Sequence, residues 1–232
     1  MLSPPRRLHR PAAARFRAAP PSLPANPRSC RRMVNMKLCA LALAALLGAL
    51  PAFAASTTTA KGRGYGNPSA PLLIELYSDL ECPACKVFHE KFLPQLMREY
   101  VDTGKVYLMD YIMSNHAHSV EASGYAFAAA RIGKYNEVAN ALFFRQPEWS
   151  ANGKVWDVVA AVLSPAEQAK VKALAKDPGV IAQIKAENDL GRTKIERTPT
   201  MLVLRGMKQY HFEGSPPWDI FSGFLDVLLA KQ

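Results

Sequence analysis

A pair of cysteines at the junction between an apolar segment and a helical pattern constrains the fold more than any other feature of the chain. Residues 72–77 are nearly all apolar, as in a strand that is covered on both faces. A short polar turn follows, and beyond Cys82 the apolar residues recur at helical spacing: Val87, Phe88, Phe92, Leu93, Leu96 and Met97. The pattern predicts a central strand, a turn and a helix that begins at Cys82.

The place of Cys82 at a helix N-terminus predicts a reactive thiol. Unpaired N–H groups and the positive end of the helix dipole stabilise an anion there, so we expect a pKa below the ordinary thiol value of about 8.5. Pro83 suits the first helical turn, where its missing N–H costs nothing. Cys85 lies three residues later, close enough to form a small disulfide with Cys82. We interpret the pair as a redox site in which Cys82 attacks and Cys85 resolves.

Residues 36–54 have the pattern of a secretory signal peptide. A lysine precedes an apolar core at residues 38–50, and the segment ends in the small-x-small sequence Ala52-Phe53-Ala54. We expect cleavage after Ala54, because the core is too short to serve comfortably as a membrane anchor. Residues 1–35 are rich in Pro, Arg and Ala, and we interpret them as a misassigned or unstructured leader.

The formal net charge of +10 comes almost entirely from the same N-terminal part of the chain. Nine of the 29 Lys and Arg residues lie in residues 1–54, which contain no Asp or Glu, so 20 basic residues face 19 acidic residues elsewhere. A nucleic-acid partner is therefore not expected. Cys30 and Cys39 also lie in this part, which leaves Cys82 and Cys85 as the two cysteines of the expected exported chain.

The remaining residues are sufficient for one domain with its own core. Residues 55–66 are polar and glycine-rich, and they predict a flexible N-terminal segment with a short edge strand near Tyr65. Further strands are predicted at residues 105–113, 200–204 and 208–212, and a last helix at residues 217–229. The order of elements is βαβ, helices, ββα, which is an α/β fold with a parallel first pair of strands.

Helical patterns fill residues 116–192, between the second and third strands of this core. They include an alanine-rich stretch at residues 120–144 and a capping box that begins at Ser164. A further helix is predicted from Pro178 to Gly191. We therefore expect residues 116–192 to be a helical insertion, and residues 67–115 and 193–232 to form the α/β domain.

These elements, the Cys82–Cys85 pair and Thr198-Pro199 before the third strand resemble the thioredoxin fold in its DsbA-like form, the periplasmic thiol-disulfide oxidoreductases. The resemblance covers residues 65–230. It implies periplasmic localisation and disulfide exchange with unfolded or newly exported proteins. In that family the proline that corresponds to Pro199 is cis and faces the disulfide, so Thr198 and Pro199 are implied to contact substrate. The alternative is an ordinary trans proline at the start of a strand.

The resemblance also implies partners. A disulfide donor would be reoxidised by a quinone-linked membrane protein, whereas a reductase or isomerase would be kept reduced by a membrane electron donor. No cofactor is implied. We expect a monomer, because residues 55–70 are too short for the dimerisation domain that dimeric isomerases carry. A non-enzymatic metal-binding or chaperone protein that uses the two cysteines as ligands is the remaining alternative.

Two residues depart from the strongly oxidising members of that family. Ala84 stands between the cysteines where those members carry a histidine, and Glu81 places a negative charge immediately before Cys82. Both should disfavour the Cys82 thiolate, and a less stabilised reduced form is a weaker oxidant. We therefore expect a milder redox potential.

Glu75 is a carboxylate within the apolar strand, where a charge is costly unless it is paired or protonated. Thioredoxin-like enzymes often keep a buried carboxylate beneath the disulfide as a proton carrier, which makes Glu75 a candidate for that role. The alternative is a glutamate that reaches solvent or a lysine.

The spacing of Cys82, Cys85 and His89 would also suit three ligands of a zinc or copper ion, with His116 or His118 as a fourth. In an exported protein, a lone C-x-x-C at a helix start is more often a redox site. We therefore predict no metal site and place His89 on the solvated face of the helix.

Overall fold

The computed structural model describes residues 63–230, so the predicted leader and signal peptide lie outside the described residues. A five-stranded sheet in the order β1-β3-β2-β4-β5 forms the centre of the fold. Its strands are β1 (Gly64–Tyr65), β2 (Leu72–Asp79), β3 (Val106–Met113), β4 (Thr200–Arg205) and β5 (Lys208–Glu213). The predicted α/β fold class is confirmed, with the expected order of βαβ, helices and ββα.

β2 is the central strand, as its apolar sequence predicts. It pairs in parallel with β3 and antiparallel with β4. Leu72, Ile74 and Leu76 are fully buried on one face, against the first helix and the last helix. Glu75 and Tyr77 point to the other face because side chains alternate along a strand. Both faces are covered, which explains why the apolar run is continuous.

The helix that begins after Cys82 extends to residue 101 but is not a regular α-helix. It consists of α1 (Pro83–Val87), a π-helical turn (Phe88–Phe92), α2 (Leu93–Leu96) and a second π-helical turn (Met97–Val101). Pro94 has no N–H to donate to the carbonyl of Glu90, so the α-helical ladder is interrupted there. Apolar spacing predicts the helix correctly and does not reveal these turns.

Six helices lie between β3 and β4 in the described part of the chain: α3 (Ser119–Ala130), α4 (Tyr135–Phe144), α5 (Gln146–Trp149), α6 (Val155–Ala160), α7 (Pro165–Leu174) and α8 (Pro178–Lys194). The predicted stretch at residues 120–144 is therefore two helices, which separate at Gly133, where φ is +74°. The capping box at Ser164 is present, with the side chains and N–H groups of Ser164 and Glu167 bonded reciprocally.

α8 continues three residues beyond Gly191, where the sequence predicted its end. Gly191 serves as a packing position instead, because a Cβ atom there would collide with the sulfur of Met113 on β3. The absent side chain lets α8 approach the sheet closely, on the face that carries Glu75 and Tyr77.

Residues 63–66 belong to the folded domain, which differs from the flexible segment predicted for residues 55–66. β1 pairs antiparallel with the edge of β3, near Tyr65 as expected. Arg63 is fully buried, and its Nη1 donates to Glu187 Oε2 at 2.8 Å. Its guanidinium also lies 4.2 Å from the ring centroid of Phe127. An arginine in a polar segment gives no sign of such a partner, because Glu187 is 124 positions away.

The last helix, α9 (Trp218–Ala230), closes the core on the same face as α1. Phe221, Leu225 and Leu228 are its buried positions, as the apolar spacing predicts. Among residues 63–230, no helix has both the length and the apolar character that crossing a membrane requires.

Candidate active site

The two cysteines lie at the start of α1 and have different surroundings. Cys82 is the N-cap residue, with extended backbone angles, and it is 8% exposed. Cys85 is fully buried in the first turn, where its Sγ accepts a hydrogen bond from Asp79 N at 3.3 Å. Both are free thiols in this structure. Cys82 is thus the outer sulfur and Cys85 the inner one.

The same asymmetry appears in their ionisation. A hydrogen bond from the Cys85 thiol, together with the N–H groups of Cys85 and Ala84 and contact with Thr198, outweighs burial and lowers the pKa of Cys82 to about 5. Burial, followed by the bond to Cys82, raises the pKa of Cys85 well above its ordinary value. At neutral pH the outer sulfur is a thiolate and the inner one a thiol.

Thr198 and Pro199 lie directly beside Cys82. The Thr198–Pro199 peptide bond is cis, and Cys82 Sγ lies 3.6 Å from the Thr198 carbonyl oxygen, to which the thiol form can donate. Cys82 and Thr198 line a groove of 370 Å³ together with residues from β3, α8 and the segment that follows α8. This places the backbone carbonyl group of Thr198 next to Cys82 Sγ.

A glutamine that sequence analysis did not select supports the loop before α1. Gln146 is 4% exposed, and its Nε2 donates to the carbonyl oxygens of Leu80 at 2.8 Å and Cys82 at 3.1 Å. It lies at the start of α5, so this helix directly restrains the backbone of Cys82. No local sequence signal identifies this contact.

Asp79 is a second residue that the sequence did not reveal, since it was interpreted only as part of a polar turn. It is fully buried at the end of β2. Its carboxylate accepts from Asn115 N at 2.7 Å, His116 Nδ1 at 2.9 Å and Ser119 Oγ at 2.6 Å. Its own N–H donates to Cys85. Asp79 therefore joins the inner cysteine to the loop between β3 and α3.

Glu81 is held differently from what its position next to Cys82 suggests. It is 7% exposed, and its Oε2 accepts from His118 N at 2.6 Å. Ser119 Oγ, whose single proton is shared with the shorter contact to Asp79, lies 3.2 Å from the same oxygen. These are groups at the N-terminus of α3, which favours a negative charge. The Glu81 carboxylate is thus directed toward the start of α3, where hydrogen bonds compensate for its burial.

Glu75 is buried, at 8% exposure, and has a basic partner. Its Oε2 accepts from Lys194 Nζ at 2.6 Å and from the Tyr77 hydroxyl at 3.0 Å. Lys194 is the last residue of α8, on the sheet face opposite Leu76. Within residues 63–230, no hydrogen bond joins Glu75 to either cysteine. The lysine accounts for the burial of the carboxylate, and a proton-carrier role stays a prediction.

The prediction of a solvated His89 is wrong. His89 is 7% exposed, stacks on Phe143 with ring centroids 3.7 Å apart, and has Nε2 3.2 Å from Ser78 Oγ. Burial lowers its pKa to about 3. The helix face that carries His89 is covered by α4, which helical spacing alone does not reveal. In residues 63–230, no group of three His, Cys, Asp or Glu side chains is placed to hold a metal ion.

Known proteins share this architecture. A family model described as thioredoxin matches residues 58–227. Disulfide bond formation protein D of Bacillus subtilis is 24% identical over 148 residues, which cover 60% of this chain and 65% of that protein. The chain thus spans less than two thirds of the length of the curated relatives that it matches.

Solved structures share the fold. The crystal structure of alpha-DsbA1 from Wolbachia pipientis has a TM-score of 0.64 at 22% identity and covers 73% of this chain and 91% of its own. Oxidised BdbD from Bacillus subtilis has a TM-score of 0.62 at 21% identity, over 73% of this chain and 94% of its own.

Proposed function

We propose, from the premise that this chain belongs to the thioredoxin family, that it is a thiol-disulfide oxidoreductase that works through Cys82 and Cys85. One observation carries the proposal: an outer cysteine with a pKa of about 5 lies at a helix start, above a buried cysteine whose pKa is raised. A metal-binding or purely structural pair has no need of this asymmetry. The name of its relative, disulfide bond formation protein D, supports the same chemistry.

The asymmetry assigns a role to each sulfur. A substrate thiolate attacks Cys82 Sγ in the Cys82–Cys85 disulfide, and Cys85 leaves and takes a proton because its thiol form is favoured. A second substrate thiolate then attacks the substrate sulfur of the mixed disulfide, and Cys82 leaves as a stable thiolate. The substrate gains a disulfide and loses two electrons, which remain on the two reduced cysteines.

Thr198 and Pro199 are the proposed substrate contacts. The Thr198 carbonyl oxygen lies 3.6 Å from Cys82 Sγ, and Thr198 lines the groove beside that sulfur. An extended polypeptide can pair with such a backbone segment as an added strand, which requires no particular side chain sequence. This suits unfolded proteins as substrates, because they expose their backbone.

The direction of exchange that we propose is disulfide donation. A stabilised Cys82 thiolate favours the reduced form of the pair, so the oxidised form readily gives up its disulfide. A membrane redox partner, quinone-linked in the donor case, must then restore the disulfide. A reductase or isomerase driven by a membrane electron donor is the alternative, and the same chemistry runs in reverse.

Export to the periplasm is part of the proposal. Residues 36–54 would be the signal peptide and residues 1–35 a leader, both outside the described residues. The exported chain would comprise a thioredoxin-like domain from residues 67–115 and 193–232, with residues 116–192 inserted. A compartment outside the cytosol suits the function because disulfides persist there.

The decisive test compares Cys82→Ser and Cys85→Ser with the wild type in oxidative refolding of a reduced protein. We expect both variants to be inactive as donors, because neither can form the Cys82–Cys85 disulfide that a substrate thiolate attacks. Reduced Cys85→Ser, mixed instead with a disulfide-containing protein, should accumulate a mixed disulfide through Cys82, because the sulfur that would displace the substrate is absent. Exchange activity that survives both substitutions would refute the proposal. Alkylation trapping in intact cells then determines direction, since a donor is oxidised at steady state and a reductase or isomerase is reduced.

A separate measurement tests the proton-carrier role of Glu75. Glu75→Gln should slow the resolution of the mixed disulfide if this carboxylate carries the Cys85 proton. Because the substitution also removes the charge that faces Lys194, Lys194→Met is the matched control. An unchanged rate in Glu75→Gln would leave Glu75 with a structural role only.

A further inference from the structure

The segment between the two cysteines contributes no positive charge, since Pro83 and Ala84 carry none. The groove beside Cys82, however, is also lined by His116, from the loop that joins β3 to α3. Its side chain is 40% exposed at this surface. A histidine distant in sequence thus occupies the same groove as the reactive sulfur and the Thr198 carbonyl group.

Asp79 holds this histidine in place. Its buried carboxylate accepts from His116 Nδ1 at 2.9 Å and also from the N–H of Asn115, the preceding residue, at 2.7 Å. Two bonds from adjacent residues fix the loop and occupy the Nδ1 side of the ring. Among the described residues, Nε2 of His116 has no hydrogen-bond partner, so this nitrogen is available to the groove.

We propose that His116, held by Asp79, supplies the positive charge that stabilises the Cys82 thiolate, in place of a charged residue between the two cysteines. The inference deepens the proposed function and rests on it. His116 acts as a positioning residue through its charge and makes no bond to the transferred sulfur. It implies a stronger oxidant than Ala84 and Glu81 alone predict.

The electrostatic surroundings agree with a protonated ring. Burial lowers the pKa of His116, but the hydrogen bond and charge of Asp79, and the charges of Cys82 and Glu81, outweigh burial and raise it above the ordinary value. The relation is reciprocal, because a thiolate that favours the imidazolium is itself favoured by it. Glu81 favours the protonated ring of His116, and its carboxylate accepts hydrogen bonds at the start of α3.

Other charged groups at the groove set the background of any titration. Arg197 pairs with Glu213, with Nε 3.1 Å from the carboxylate. Arg192 of α8 and Glu196 are exposed and of opposite charge. The charged groups that act on His116 are Asp79, Glu81 and Cys82, and those that line its groove are Arg192, Glu196 and Arg197. The substitution at position 116 must therefore be neutral and close to histidine in shape, so that the other charges of the groove stay unchanged.

The test titrates the thiolate absorbance of reduced full-length protein in wild type, His116→Asn and His118→Asn. Asparagine places a side-chain N–H where Nδ1 stands, so the bond to Asp79 is retained and only the charge is lost. We expect the pKa of Cys82 to be higher in His116→Asn than in the wild type, by about 0.5–1. This corresponds to a three- to tenfold lower proton concentration at half-ionisation. His118→Asn is the matched control in the same loop and should titrate as the wild type does.

Two further measurements exclude a merely structural role. The equilibrium constant with glutathione should shift by about three- to tenfold toward a weaker oxidant in His116→Asn. His116→Lys, which restores a positive charge at this exposed position, should recover the low ionisation pH. An active wild type with unchanged titration and equilibrium in His116→Asn would overturn this inference alone. A wild type without exchange activity would refute the proposed function, and this inference with it.

Discussion

A buried neutral histidine should make this protein sensitive to mild acid. His89 stacks on Phe143 and contacts Ser78, and burial lowers the pKa of its ring from 6.5 to about 3. In the unfolded chain His89 is therefore protonated below pH 6.5, whereas in the folded chain it is protonated only below about pH 3. The stability that the neutral ring contributes is complete above pH 6.5 and is lost as the pH falls toward 3.

The size of the effect follows from the width of this window. Each pH unit below 6.5 costs the folded state about 1.4 kcal/mol, to a maximum of about 5 kcal/mol near pH 3. Between about pH 7.5 and about pH 5, His89 alone should therefore remove about 2 kcal/mol from the free energy of unfolding. This is a large fraction of the stability of an ordinary domain, about 5–15 kcal/mol.

The substitution that tests this reasoning is His89→Gln, which keeps an amide near Ser78 but cannot titrate. Urea unfolding at several pH values gives the free energy of unfolding of each protein, and the quantity compared is its change with pH. The variant should lose about 2 kcal/mol less than the wild type between about pH 7.5 and about pH 5. Other titrating groups contribute equally to both proteins and cancel.

His211→Gln is the matched control, because His211 is exposed on β5. This variant should keep the pH dependence of the wild type. If the free energy of unfolding falls equally in wild type and His89→Gln, within about 0.5 kcal/mol, then the folded state accepts a proton on His89. The buried setting described for this residue would then be incorrect.

Three further predictions concern other buried positions and are measured by urea unfolding. Burial raises the pKa of Asp110 to about 6, and its Oδ1 has no hydrogen-bond partner. Its ionisation therefore destabilises the folded state by up to about 3 kcal/mol as the pH rises from 3.8 to 6. Asp110→Asn should be more stable than the wild type above pH 6, but not below pH 3.8. Arg63→Met leaves Glu187 buried without its counter-ion and should cost about 3–5 kcal/mol; a cost below about 1 kcal/mol would mean that the pair is solvated. Gly191→Ala drives a methyl group into Met113 and should cost about 1–3 kcal/mol while exchange activity is retained.

Most of the fold was predictable because its signals are local. The apolar run of β2, the capping box at Ser164 and the buried stripe of α9 each depend on neighbouring residues, and each is present in the structure. The errors occur where a single residue interrupts a pattern. Gly133 divides one predicted helix into two, and Pro94 lies where the first helix adopts π-helical turns.

The site was predictable only in part. Cys82 lies at a helix start with Cys85 in the first turn, as the sequence predicts, and the Thr198–Pro199 bond is cis as the resemblance implies. Glu81 was weighed as a charge beside Cys82, whereas its carboxylate binds the start of α3. This contact could not be predicted, because a position in the chain fixes where the backbone lies but not the direction of its side chain.

The sequence by itself determined the order of the elements and the presence of a thiol at a helix start, because hydrogen bonding within a helix and apolar periodicity act over a few residues. Only the tertiary structure decided which side chains surround those thiols. It covered His89 with α4, joined Arg63 to Glu187, and brought Asp79 and His116 together beside the cysteines. Such contacts depend on how separate elements pack, and burial and charge pairing across dozens of positions leave no periodic trace in the chain.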